Sequence, residues 1–403
     1  MNGISKMTFK RIITNRIFVY ILIFFGIVIR FFLLPIESLD MKDYLIPWYD
    51  YIVYHGAWVS LGDEFSNYTP SYLYLLTLAT LSNGFISKVT AIKLIPILFD
   101  LFNTYLIYHL VKLKTKDNNL SLLSAALFFC LPTIILNGSA WGQADPIFTS
   151  FILLSLLYLL RDSPLPAIIS FSVAFAFKAQ AVFFAPFLLL LTIKKRVPLP
   201  YYLFLPIIYL TMMLPALLAG RPLPSVLSIY LGQVDTFKSL SMKAPNLYLF
   251  MPDDLYIPIM YIGITTTIVV TLLWAAGYAI KIKEFNSEIM LICATVSVSM
   301  IPFLLPKMHE RYFYLMDVFT LLLAFYIPRM WFPVIGAQIV SGLTYYVFIF
   351  ISSQQTPPSI GAVFLICAAF INTFLIGYLF WKQYYFINLN NGLKIDSSTI
   401  KES

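Results

Sequence analysis

Apolar residues run in long blocks separated by short polar breaks along nearly the whole chain of 403 residues. Many blocks are about 17–25 residues long, which is the length an α-helix needs to cross a bilayer. The pattern predicts about twelve membrane-spanning helices, near 17–35, 89–111, 119–137, 145–160, 164–178, 180–193, 199–219, 256–280, 286–304, 311–328, 331–351 and 359–381. The segment 180–193 is short and could be tilted, re-entrant or continuous with its neighbour. The predicted fold class is therefore all-α, a polytopic integral membrane protein.

The distribution of lysine and arginine predicts the orientation of these helices. Residues 70–84, "PSYLYLLTLATLSNG", are too few to span comfortably, so we expect them to lie in the interface within the first loop. Most basic breaks, such as "KLKTK" and "KKR", then fall on the cytoplasmic side together with both termini. On this map residues 1–388 form one transmembrane domain. It has two long outer loops, 36–88 and 220–255, and is followed by a polar cytoplasmic tail at 389–403.

Composition supports a membrane protein and excludes other classes. Hydrophobic residues make up 60 % of the chain, including 36 Phe and 27 Tyr, which is too apolar for a soluble protein of this length. The net charge of +8 follows the predicted topology, so we expect membrane lipids and no nucleic acid as partners. The three cysteines lie inside apolar runs and predict neither a disulfide framework nor a metal cluster. The first apolar run lacks a small-residue cleavage site, which indicates a retained helix.

The first outer loop begins with two carboxylates, Asp40 and Asp43, just after the first predicted helix. A partly desolvated carboxylate at the membrane edge can act as a general base on a hydroxyl. The alternative is an ordinary solvated acidic loop. Aromatic residues interleave with these acids, among them Tyr44 and Trp48, which suits stacking on a sugar ring or an amphipathic helix in the interface.

Three further outer segments carry unusual polarity, "SNYTPSYLYL", "GSAWGQADP" and "FKAQ". Their candidate substrate-binding or donor-binding side chains are Tyr68, Trp141, Gln143, Asp145, Lys178 and Gln180. Each segment also has a structural explanation. Pro70 after a capping Thr69 makes a helix start, Asp145 could cap a helix, Trp141 could be an interfacial aromatic, and Lys178 could extend to the interface.

The fourth segment, "PKMHERY" at 306–312, concentrates charge between two apolar runs. Arg311 offers a fork of donors suited to phosphate, and Lys307 is a point charge. His309 could hold the same anion by hydrogen bonding, and Glu310 is the expected counter-ion of Arg311. A plain charged turn between helices is the alternative.

Together these residues suggest a lipid-linked anion whose head group is transferred to a hydroxyl. Such a reaction needs a base for the acceptor and positive charge around the leaving phosphate. Two other classes stay open. A lipid or oligosaccharide transporter or flippase would favour internal repeats and broken midplane helices, and no repeat occurs in this sequence. An acyltransferase or polymer ligase would depend on a catalytic histidine, for which His309 is the candidate.

The order of "NYTPSYLYL", "WGQADP", "FKAQ" and "KMHERYFY" after an acidic first loop resembles the GT-C superfamily of polyprenyl-phosphate-sugar-dependent glycosyltransferases, in particular the bacterial relatives of GPI mannosyltransferases. The resemblance implies a hexose donor, mannose or glucose, a glycolipid or glycan acceptor, and inversion on the outer face of a bacterial plasma membrane. It also implies Asp40 as catalytic base with Asp43 next, and a donor-phosphate site at Lys178, Lys307, His309 and Arg311. The two aspartates are not a D-x-D pair, so the resemblance leaves metal dependence open and implies no other cofactor. No large soluble C-terminal domain of the oligosaccharyltransferase type follows the apolar runs in this sequence, so we do not expect transfer to protein.

Overall fold

The computed structural model describes residues 16–235, 238–351 and 358–392. Within these ranges the fold is all-helical apart from one pair of two-residue strands. The predicted all-α class is therefore confirmed. The basic N-terminal residues 1–15 and most of the predicted tail, 393–403, lie outside the described residues.

The first outer segment is built from short helices that follow the first long one. The elements are α1 (Arg16–Leu33), a π-helical turn (Met41–Leu45), α2 (Ile46–His55), α3 (Ala57–Gly62) and α4 (Pro70–Thr80). Gly56, with φ at +84°, separates α2 from α3. At the end of α3 a Cβ on Gly62 would lie 2.4 Å from the backbone oxygen of Ala219, so glycine permits this loop to pack closely on a later helix.

The next helices form a tightly packed group around a break at Pro132. They are α5 (Lys88–Thr115), α6 (Asn118–Cys130), α7 (Pro132–Ile135) continuing as a π-helical turn (Leu136–Trp141), α8 (Asp145–Leu160) and α9 (Pro164–Phe177). The chain bends by 52° between Asn118–Cys130 and Pro132–Trp141. Proline lacks a backbone N–H and clashes with the preceding turn, which accounts for the bend.

The remaining elements carry the second outer loop and the last helices. They are a 3₁₀ turn (Ala179–Phe184) leading into α10 (Ala185–Ile193), a 3₁₀ turn (Leu199–Leu203) leading into α11 (Phe204–Leu218), α12 (Leu223–Asp235), β1 (Ser241–Met242), 3₁₀ turns (Leu247–Phe250 and Asp253–Leu255), α13 (Tyr256–Lys281), α14 (Ser287–Leu304), β2 (Met308–His309), α15 (Tyr314–Tyr326), α16 (Trp331–Tyr346) with a π-helical turn (Val347–Ile351), and α17 (Pro358–Asn390).

Seven helices in the described part of the chain are long and apolar enough to cross a membrane, or eight if the bent pair counts as one span. Four further apolar helices, Asp145–Leu160, Pro164–Phe177, Ala179–Ile193 and Tyr314–Tyr326, are shorter. Every predicted span coincides with one of these segments, but the prediction of about twelve spans is not confirmed. An apolar run in a sequence does not separate a spanning helix from a shorter helix buried inside the protein.

Burial separates the central helices from the peripheral ones. In α14, 83 % of the residues are buried, against 17 % in α1. The exposed side chains of α1 are mainly apolar, for example Phe31 and Phe32. Such a surface is compatible with contact with lipid and with an integral membrane protein.

A short parallel strand pair fixes the "PKMHERY" segment against the second outer loop. Ser241 is opposite Met308, and Met242 is opposite His309. Two backbone bonds flank the pair, from the Lys307 N–H to the Leu240 oxygen at 2.7 Å and from the Glu310 N–H to the Met242 oxygen at 3.2 Å. The pairing holds the residues after Lys307 at a defined place next to α15.

Candidate active site around Asp40

Most of the predicted site residues meet at one cavity of about 110 Å³. The cavity lies where the first outer loop, the junction after α9, α12 and the turn before α15 come together. Its lining consists of Asp40, Tyr44, Leu45, Trp48, Asn67, Tyr68, Thr69, Gln143, Phe177, Lys178, Gln180, Tyr230, Gln233, His309, Arg311 and Tyr312. One cavity thus collects residues from five separate parts of the sequence: the first outer loop, Gln143 after α7, the junction after α9, α12 and the turn before α15.

Asp40 is oriented by two donors from the segment after α7. The indole Nε1–H of Trp141 donates to Asp40 Oδ2 at 2.9 Å, and the amide of Gln143 donates to the same oxygen at 2.6 Å. Gly142, with φ at +79°, stands between the two donors, and a Cβ there would lie 2.5 Å from the Met41 side chain. Among the described residues, every hydrogen bond to Asp40 falls on Oδ2. Oδ1 is therefore left for a ligand.

Trp141 is held rigidly behind the cavity and does not lie at an interface with water. Its side chain is fully buried and stacks on Phe348, with ring centroids 4.4 Å apart. The ring of Tyr345 meets it edge-on at 5.2 Å. The alternative of an ordinary interfacial aromatic is therefore wrong, and the packing fixes the direction of the indole N–H.

A buried ion pair joins Asp145 to Lys178. The ammonium of Lys178 donates to Asp145 Oδ1 at 2.5 Å, and the amide of Asn137 donates to Oδ2 at 3.0 Å. The side chains of Lys178 and Asp145 are 10 % and 2 % exposed. Asp145 makes no capping bond at the start of α8, and Lys178 does not extend to solvent. Both structural alternatives for these two residues are therefore wrong.

Helix geometry places Lys178 at the cavity. Lys178 has extended backbone angles between the end of α9 and the following 3₁₀ turn, so the helix is interrupted there. Thr69, at the start of α4, donates its hydroxyl to the backbone oxygen of Phe177 at 3.1 Å instead of capping its own helix. The predicted helix start at Pro70 is confirmed, and Thr69 ties the first loop to the Lys178 junction.

Arg311 lies among three carboxylates. Its Nη1 is 3.1 Å from Glu310 Oε1 and 3.5 Å from Asp40 Oδ2, and its Nε is 4.0 Å from Asp145 Oδ2. The guanidinium also lies over the Trp141 ring at 5.3 Å. The expected pairing of Glu310 with Arg311 is confirmed. Arg311 Nε is buried and makes no hydrogen bond within the described protein, so it can donate to an anion.

Burial changes the charge of two neighbours of Arg311. It raises the pKa of Glu310 to about 7, against an opposing effect of the Arg311 charge. It also lowers the pKa of His309 well below 6.5, and the positive charges of Arg311 and Lys178 lower it further. His309 is therefore a neutral imidazole at neutral pH. It can contribute a hydrogen bond to an anion but not a positive charge.

The structure does not bring two predicted residues to the cavity. Asp43 is exposed and is not part of the lining. Lys307 donates to the hydroxyl of Tyr256 and lies over that ring at 4.9 Å, away from the lining. Among the other predicted residues, Trp141, Asp145 and Glu310 lie behind the lining and contact Asp40, Lys178 or Arg311.

Several lining residues were not predicted. Tyr312 follows Arg311 directly, so its position next to the charged segment was an available signal. Asn67 and Gln233 also line the cavity, and the Gln233 amide donates to the Asn67 backbone oxygen at 2.6 Å. Gln233 belongs to α12, and its place over the cavity depends on packing that no local pattern in the second outer loop indicates.

Among the residues that the structure describes, no three His, Cys, Asp or Glu side chains are grouped as a metal site requires. The carboxylates of the cavity are interleaved with Arg311 and Lys178. Whether a divalent metal takes part stays an open prediction. No protein-family model matches the chain, and no curated protein matches it significantly.

Proposed function

We propose that this protein is a membrane glycosyltransferase that transfers a hexose from a polyprenyl-phosphate donor to a hydroxyl of a lipid or glycan. The observation that carries the proposal is the setting of Asp40. One oxygen of its carboxylate is held by Trp141 and Gln143, the other accepts no hydrogen bond from the described residues, and Asp40 lines the same cavity as Arg311 and Lys178. The sequence resemblance to GT-C glycosyltransferases points to the same chemistry.

The donor phosphate would bind between Arg311, Lys178 and His309. Arg311 supplies the free Nε–H, Lys178 a buried ammonium, and His309 a neutral N–H donor. The site already holds three carboxylates near these two cations, so the full charge of Arg311 is not available to a phosphate while Glu310 is ionised. Protonation of Glu310 would leave two cations facing two carboxylates and would favour anion binding.

The hexose would lie against the aromatic side of the cavity. Trp48 and Tyr68 have ring centroids 5.1 Å apart, and Tyr44 is 5.8 Å from Trp48. Aromatic faces suit the apolar faces of a sugar ring, and Gln143 and Gln180 add amide groups for its hydroxyls. The Gln180 Oε1 atom is buried and has no hydrogen-bond partner in the described protein. It can therefore accept a hydrogen bond from a hydroxyl of the bound sugar.

The reaction would proceed by direct displacement at the anomeric carbon. The acceptor hydroxyl gives its proton to Asp40 Oδ1 while its oxygen bonds to the anomeric carbon. The bond from that carbon to the donor phosphate oxygen breaks, and polyprenyl phosphate leaves with the electron pair. Arg311 and Lys178 stabilise the developing phosphate charge, and attack opposite the phosphate inverts the anomeric centre. Mannose and glucose are the proposed sugars, and the outer face of a bacterial plasma membrane is the proposed location.

The test uses purified protein with short-chain polyprenyl-phosphate mannose or glucose and a set of hydroxyl acceptors, with products identified by mass. Asp40→Asn keeps the shape of the side chain but removes the proton acceptor, so turnover should fall by about 10²–10⁴-fold. Asp50→Asn is a matched control, because Asp50 is exposed on the same loop and pairs with Lys88 at the surface.

Three outcomes would contradict the proposal in different ways. Inactive Asp43→Asn with active Asp40→Asn would pass the role of base to Asp43. Normal turnover in both variants would exclude a carboxylate base from this loop. Absence of any glycosyl product, together with movement of the intact lipid-linked sugar across vesicle membranes, would identify a transporter instead.

A further inference from the structure

A buried lysine on α5, Lys93, makes contacts that the proposed reaction does not require directly. Its ammonium donates to three backbone oxygens, those of Leu33 at 3.1 Å, Leu34 at 3.0 Å and Ile36 at 2.5 Å. An ammonium has three N–H donors, so each is matched to one acceptor. A lysine inside a membrane-spanning helix is costly, and such a residue usually has a specific task.

The three acceptors mark the place where α1 ends and the first outer loop begins. The last carbonyls of a helix have no partner within the helix, and a cation near them is favourable. Pro35 follows directly and has no N–H to offer to the preceding turn. Two turn bonds also lie at this exit, from the Leu34 N–H to the Phe31 oxygen at 3.3 Å and from the Ile36 N–H to the Leu33 oxygen at 3.2 Å. Lys93 therefore provides most of the polar contacts that fix this exit.

The chain runs from this exit straight to Asp40. Ser38 donates its hydroxyl to the Trp141 backbone oxygen at 3.1 Å and accepts from the Met41 N–H at 3.2 Å. Trp141 in turn donates to Asp40. Lys93 also lies beside the turn that carries both donors to Asp40, Trp141 and Gln143. A Cβ on Gly142, between these two residues, would be 3.4 Å from Lys93 Cγ. One side chain thus bonds to the segment that carries Asp40 and lies close to the turn that carries both of its donors.

We infer that Lys93 is a positioning residue that holds the catalytic carboxylate of Asp40 in the cavity. The inference rests on the proposed function, since it assigns Lys93 a role only through Asp40. Without the ammonium, three carbonyls lose their donors and the segment 33–40 is free to shift. A displacement of about 1 Å of a catalytic group can cost about 100-fold in rate.

The test combines Lys93→Met with Asp40→Asn in the transfer assay with short-chain polyprenyl-phosphate mannose or glucose. Lys93→Met alone should lower kcat by about 100-fold while the donor KM changes by less than about threefold, because the donor-phosphate site is untouched. In the Asp40→Asn protein the same change should lower kcat by less than about twofold further, since a misplaced amide and a well-placed amide are equally poor bases.

The matched control is Lys114→Met, the same replacement on the same helix. Lys114 lies near the other end of α5, where it pairs with Glu288 and is partly exposed. Lys114→Met should leave kcat and the donor KM unchanged. If Lys93→Met does not yield folded protein, Lys93→Arg replaces it in the same assay. Arginine keeps N–H donors but not the tetrahedral arrangement that meets three carbonyls, so kcat should again fall while the donor KM changes little.

Each result separates this inference from the proposed function. A loss in kcat from Lys93→Met that is fully retained in the Asp40→Asn background would show that Lys93 acts on its own, and the inference would be overturned. Normal kcat in Lys93→Met, or a change in KM alone, would overturn it as well. Normal turnover of Asp40→Asn itself would instead defeat the proposed role of the carboxylate.

Discussion

Replacement of Glu310 with glutamine changes the charge of the cavity without changing the size of the side chain. Glu310 is almost completely buried beside Arg311, and its pKa is raised to about 7, mainly by burial and against the effect of the Arg311 charge. The folded protein therefore holds a proton on Glu310 that the unfolded chain loses at lower pH. Glutamine imitates the protonated form at every pH.

The pKa of Glu310 rises from 4.5 in the unfolded chain to about 7 in the folded protein. This shift corresponds to a change of about 3 kcal/mol in the free energy of unfolding. Because the folded state binds the proton more tightly, the free energy of unfolding falls as the pH rises from about 4.5 to about 7 and is flat outside this range. Glu310→Gln removes this dependence. The variant should match the wild-type stability near the lower end and exceed it by as much as about 3 kcal/mol near pH 8.

The assay is the unfolding transition of the detergent-purified protein between about pH 4.5 and about pH 8, followed for both proteins under identical scan conditions. The exposed Glu284, between α13 and α14, provides the control variant Glu284→Gln, which should keep the wild-type pH dependence. Donor binding supplies a second measurement. Wild-type affinity for the anionic donor should weaken as the pH rises through about 7, and Glu310→Gln should bind with little pH dependence.

Equal pH dependence of stability in the wild type and Glu310→Gln would refute the argument. It would mean that Glu310 is ionised in the folded protein at the same pH as in the unfolded chain. A variant that is less stable than the wild type at pH 8 would show that attraction between ionised Glu310 and Arg311 outweighs the cost of burial.

Two further predictions concern the orientation of the chain and the donor phosphate. In a variant without native cysteines, a cysteine placed at 43 should react with an impermeant reagent in intact cells and one at 116 should not, because basic residues predict a cytoplasmic position for the latter; the opposite labelling would reverse the topology. Arg311→Lys keeps the positive charge but loses the fork, so donor affinity measured by titration should fall by about tenfold. Unchanged affinity in both Arg311→Lys and Arg311→Ala would place the phosphate elsewhere.

The sequence pattern correctly placed Lys178, Gln143 and Arg311 at one cavity, but it also placed Asp43 and Lys307 there and did not indicate how the residues pair. Lys178, Gln143 and Arg311 stood out because polar side chains at the ends of apolar runs are costly unless they face a partner or a cavity. Their partners are fixed by tertiary packing. Asp145 meets Lys178 across two helices, and nothing in the local pattern of either helix indicates that contact.

Asp43 illustrates a limit of helical spacing. Two residues three positions apart share a face in an α-helix, so Asp40 and Asp43 were both expected at the site. The chain instead forms a π-helical turn over Met41–Leu45, which is wider than an α-helical turn. Asp40 turns toward Trp141, and Asp43 points away from the cavity.

Polar residues inside the apolar runs were the least predictable. Arg30, near the end of α1, pairs with buried Asp100 at 3.3 Å and donates to the Phe129 backbone oxygen at 2.7 Å. The sequence does not single out Lys93 and Asp100, because both are scattered polar positions within the one apolar run 89–111. Their roles depend on how α1 packs against α5 and α6, which is a property of the assembled bundle.

The backbone pairing between the second outer loop and the charged segment has a consequence for protein engineering. The bonds from the Lys307 and Glu310 N–H groups end on the main-chain oxygens of Leu240 and Met242, so they do not depend on which side chains the loop carries. The loop can therefore be diversified in a library at 241 and 242 without loss of the connection. Proline at 307 or 310 would remove one of these two donors and weaken the connection, whatever the loop sequence.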